Sequence, residues 1–128
     1  MPVATYVRRF DFEYAGLRHG AEDFAWLIAD ETLPLAPDKM ADVMLATFDH
    51  GSGYDIEDYR DSPSVYVTLH AVQRLKLIQK KVKKRGWLSK GRVMKYDDAG
   101  VHPDYARQLC RVGAYYAAQS KLTAPLAR

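Results

Sequence analysis

Ten lysines and arginines fall between Arg74 and Lys95, and no carboxylate lies between Asp61 and Asp97. The set is Arg74, Lys76, Lys80, Lys81, Lys83, Lys84, Arg85, Lys90, Arg92 and Lys95, with Trp87 and Tyr96 interleaved. Clustered cations with no local counter-charge suit polyanions, because each phosphate they neutralise releases a condensed counterion. Aromatic rings among them add flat faces on which bases can stack. The same residues also fit an acidic protein surface, or a solvated helix face that balances acids elsewhere in the chain. No helix-turn-helix, zinc-finger or RNA-recognition motif accompanies them.

Other groupings carry weaker chemistry. Asp49, Asp55, Glu57, Asp58 and Asp61 gather carboxylates that can hold a divalent cation. Counted from Asp49, however, the place where a calcium loop closes on Glu holds Arg60. His50-Gly51-Ser52-Gly53 is glycine-rich but lacks the lysine of a phosphate loop, and it reads as a helix-ending turn. Asp97, Asp98, His102 and Asp104 are candidates for a metal or for acid–base chemistry. They read more simply as a turn followed by an acidic first turn of a helix. No H-x-x-x-H or H-E-x-x-H spacing and no G-x-S-x-G elbow occurs. The one cysteine, Cys110, falls within a helical pattern and is expected to be buried and inert. No metal, no cofactor and no catalytic set is therefore assigned, and the chain reads as a non-catalytic binder.

The elements that must position the basic set follow from periodicity. Phe10, Phe12 and Tyr14 alternate with Asp11 and Glu13, which predicts a half-buried strand over Tyr6–Tyr14. Phe24, Leu27 and Ile28 lie at helical spacing. Pro37 suits a first helical position ahead of Met40, Val43, Met44 and Phe48. Residues 49–62 read as an acidic loop. Ser62 and Pro63 resemble a helix start, yet Val65, Tyr66, Val67 and Thr68 are strand formers, so residues 65–69 stay open between strand and helix. From His70 a helix is predicted, with Val67, Ala71, Leu75, Ile78 and Val82 as its apolar stripe and Gly86 as its end. Residues 87–96 read as a turn and a short strand. A last helix opens at Val101–Asp104, with Tyr105, Leu109, Val112 and Tyr116 as core and Ala106, Cys110, Gly113 and Ala117 as a small-residue face.

The expected fold is thus α+β and helix-dominated: three to four helices packed with a small β-sheet that includes the N-terminal strand. At 128 residues the chain suits a single domain, placed at residues 1–118 with a frayed tail over 119–128. Residues 1–61 hold five basic and thirteen acidic side chains, and residues 62–128 hold fourteen and three. Such asymmetry points to an anionic partner. The opening residues lack the apolar core of a signal peptide, and no stretch reaches the about 18 apolar residues of a membrane span. The expectation is a cytoplasmic protein, with no membrane partner, that contacts DNA or RNA backbone through residues 74–95. The alternatives are a regulator or inhibitor of the phage or mobile-element type docking on an acidic protein, and a homo-oligomer that pairs its acidic and basic halves. Nine tyrosines add a hint of interface character.

Overall fold

The computed structural model describes residues 25–30, 36–46, 56–96 and 99–128. They are helical throughout their regular parts. A helical turn covers residues 25–28. Four longer helices follow: α1 (Pro37–Ala46), α2 (Ile56–Arg85), α3 (Lys90–Tyr96) and α4 (Pro103–Ala117). A short 3-10 turn, Ala124–Ala127, comes last. No β-strand occurs among the described residues, which overturns the expected small sheet. The alternating segment Tyr6–Tyr14 lies outside them, as does His50–Gly53.

The 30 residues of α2 make a rod about 45 Å long. It absorbs three segments that read differently from sequence. Residues 56–62, expected as acidic loop, form its first turns. Pro63, expected near a helix start, sits buried inside it. Its missing N–H leaves one carbonyl of the preceding turn without an intrahelical partner. Val65–Leu69 are helix as well. Helical spacing sends Val67 to the same face as Ala71 and Ile78, and burial there outweighs β-propensity. Thr68 settles its hydroxyl by donating to the Ser64 carbonyl at 2.7 Å, one turn back.

The core forms where α2 packs on α4. Val67, Ala71 and Ile78 from α2 meet Leu109, Val112 and Tyr116 from α4, with Ile28 and Met40 joining from the N-terminal side. Leu75 and Val82 are partly buried against them, completing the predicted stripe. The small-residue face of α4 brings the two helices close, since a Cβ on Gly113 would lie 3.0 Å from the Ala71 Cβ. Two side chains depart from expectation. Leu27 is 60% exposed, and Cys110 faces solvent, because its neighbours Leu109 and Val112 take the core positions of α4. After α4, Thr123 is buried and donates to the Ala117 carbonyl at 2.9 Å. No described helix is long and apolar enough to cross a membrane.

Candidate nucleic-acid interface

The basic set divides once it is wrapped on α2. Its core residues Val67, Ala71 and Ile78 define one side of the helix, and 100° per residue places Lys76, Lys80, Lys83 and Lys84 on the opposite side. All four are exposed. Lys76, Lys80 and Lys84 form an i, i+4 ridge that climbs about 6 Å per step. Among the described residues, no ion pair engages these four. Like charges at that spacing repel by roughly 0.2–0.5 kcal/mol per pair. Lys83, Lys84 and Arg85, in the last turn, gain from the negative end of the helix. Lys76 and Lys80 lie too far up the helix for that compensation, and no ion pair among the described residues replaces it. Arg74 and Lys81 sit on the flank, half-buried, and both have partners within the molecule. Arg85 is exposed and is likewise engaged.

Beyond α2 the chain turns sharply. Gly86 takes a left-handed conformation (φ 76°) and its N–H reaches the Val82 carbonyl at 2.8 Å, closing the helix as predicted. Leu88 donates to the Val101 carbonyl at 3.0 Å and ties this turn to the entry of α4. Residues 90–96 are helix α3, where a strand was expected. The overlooked signal is Ser89, whose Oγ accepts from the Arg92 N–H at 3.3 Å as an N-terminal cap. Val93 is the buried residue of α3, while Arg92, Met94, Lys95 and Tyr96 are exposed. Arg92 and Lys95 set their cationic groups 5.9 and 5.4 Å from the Tyr96 ring centre. Trp87 is 51% exposed.

Lys90 belongs to a different environment. Its Nζ lies 2.9 Å from Asp104 Oδ2, and Arg107 donates to Asp104 Oδ1 at 2.7 Å. The hydrogen bond and charge of Lys90 hold the Asp104 carboxyl below its usual range, and Asp104 in turn raises Lys90. His102 caps α4 by accepting the Asp104 N–H on Nδ1 at 3.1 Å. The proposed acid–base quartet therefore resolves into capping and ion pairing at His102 and Asp104, with Asp97 and Asp98 outside the described residues. Among the described residues, no group of three or more potential metal ligands gathers. Of the acidic cluster, Asp61 is exposed on α2, and Asp49 and Asp55 lie outside the described residues.

Near the middle of α2, His70 packs against the Trp26 ring at 4.5 Å between centroids. Burial, and then the nearby Arg74, lower its pKa, with Asp30 pulling the other way. Nothing in the sequence links His70 to Trp26, since 44 positions separate them.

No family model, curated protein or solved structure matches this chain. Its function is therefore argued from the site itself.

Proposed function

We propose that this is a non-catalytic, cytoplasmic binder of nucleic-acid phosphate backbone. The observation that carries the reading is the exposed ridge Lys76, Lys80, Lys83 and Lys84, turned away from the core and unpaired among the described residues. Arg92 and Lys95 on α3 extend the supply of exposed cations. Mutual repulsion along the ridge is relieved when phosphates replace water between the ammonium groups.

The test is binding to random DNA and RNA at two salt concentrations. Four phosphate contacts imply a salt slope near −3.6, so affinity falls roughly a hundredfold between about 50 and about 200 mM salt. Absence of binding at low salt rejects the reading.

One observation favours a second reading. Leu69 (48% exposed) shares the outward side of α2 with Lys76 and Lys80, and Leu77 (37% exposed) lies at the edge of that side. Phosphates have no use for leucine, whereas an acidic protein partner, or the acid-rich first half of a second copy, would cover it. A sedimentation run that shows a monomer at high concentration removes the self-pairing form of this reading.

A further inference from the structure

Trp87 and Tyr96 stand at the two ends of the stretch that carries α3, and both are largely in water. Trp87 is held by backbone geometry on either side: the left-handed Gly86 before it, and after it Leu88 with its hydrogen bond to Val101. No ring contact engages Trp87 among the described residues. Lys83 and Lys84 precede it in the last turn of α2. Tyr96 keeps Arg92 and Lys95 beside its ring. Tyr96 thus has cations against its ring, and Trp87 follows directly on the cationic last turn of α2.

Duplex backbone uses only half of such an arrangement. It offers phosphates to the cations, but its bases are stacked on one another and present no face to an indole or a phenol. An unpaired strand presents both, and stacking on aromatic side chains is tolerant of sequence because every base has a π-face. We infer that the polyanion this surface takes is single-stranded nucleic acid, with bases stacked on Trp87 and Tyr96 and phosphates on Lys83, Lys84, Arg92 and Lys95. The inference rests on the backbone-binding reading above and narrows its substrate class.

The experiment uses the full chain and three probes of matched length at low salt: oligo(dT), oligo(U) and a random DNA duplex. The chain has two tryptophans, so a Trp26→Phe variant reports on Trp87 alone. Single strands should bind more tightly than duplex and quench Trp87 emission. Trp87→Ala should lower oligonucleotide affinity roughly tenfold and close most of the gap to duplex, with Trp87→Phe recovering part of it. The two single-stranded arms compare DNA with RNA, and oligo(dU) as a control separates the 2′-hydroxyl from the thymine methyl. Equal affinity for duplex and single strands, with Trp87 emission unmoved, overturns the single-strand inference and leaves phosphate binding standing. No binding of any probe overturns both.

Discussion

The two sides of α2 are built from one helix and obey opposite rules. The inner side is apolar and close-fitted, with Val67, Ala71 and Ile78 almost fully buried against α4 and Gly113 admitting Ala71 at van der Waals limits. The outer side repeats lysine at the same four-residue step, with Leu69 and Leu77 left in water. Inside, burial against α4 accounts for Val67, Ala71 and Ile78. Outside, the helix dipole accounts for the last-turn cations, whereas Lys76 and Lys80 have no ion pair among the described residues. Function is therefore sought in the exposed cations that the described fold does not use.

That contrast can be broken at several points. The largest effect is expected from Lys76, Lys80 and Lys84 changed together to Glu. Nucleic-acid affinity should drop at least about a hundredfold in a titration, since three phosphate contacts become repulsive. Stability should move by less than about 1 kcal/mol in chemical denaturation, because these side chains are exposed. Unfolding of the variant, or intact binding, would erase the distinction between the two sides.

The inner side is probed by Gly113→Ala. The added methyl meets the Ala71 Cβ, and crowding should outweigh the better helix propensity of alanine, lowering stability by about 1–2 kcal/mol. Ala71→Gly in the same chain should restore part of the loss. Gly91→Ala on α3, where an added Cβ would meet no other described residue's atoms within 4 Å beyond its own turn of helix, should instead leave stability equal or slightly higher. Thermal melts of the three variants check the ordering.

A smaller gain is expected at Tyr116, whose buried hydroxyl has no hydrogen-bond partner among the described residues. Burial pushes its ionisation well above the ordinary tyrosine range. Tyr116→Phe removes the unsatisfied group at nearly constant shape and should stabilise by about 1 kcal/mol in denaturant melts.

The smallest effect sharpens the charge comparison. Lys90 has the acid that the α2 ridge lacks, yet the pair is exposed and screened. Asp104→Asn should therefore shift the melting temperature only slightly. Because Lys90 depresses the Asp104 carboxyl, the folded state binds that proton less readily than the unfolded chain. The pair's contribution is full above the usual carboxylate range and fades as pH falls through the depressed value. The small difference between wild type and Asp104→Asn should fade over that same acidic window.

Much of the helical layout was readable from local pattern. The apolar stripe of α2, the Gly86 stop, the Pro37 start and the His102–Pro103 opening of α4 all follow from periodicity and capping chemistry. The failures are instructive. Val65–Thr68 are β-favouring in composition and a short strand was expected within residues 87–96, but β-propensity measures fit to a half-buried sheet surface, and neither segment finds one among the described residues. The acidic residues before Ser62 looked like loop because acids and glycines crowd there. In fact the boundary between acidic and basic halves falls inside α2, with acids toward its start and bases toward its end, in line with the helix dipole.

Local pattern alone sets the cluster of cations, their distance from acids along the chain, and the phase that puts lysines opposite an apolar stripe. These are properties of composition and of a 3.6-residue repeat, which need no distant contact. Which cations are available depends instead on packing. Asp104 reaches Lys90 across 14 positions, and partners within the fold engage Arg74 and Lys81, whereas the α2 ridge and the Trp87 ring are turned outward. Charge neutralisation and exposure depend on what lies across space, and residues separated along the chain meet only when α2 and α4 pack.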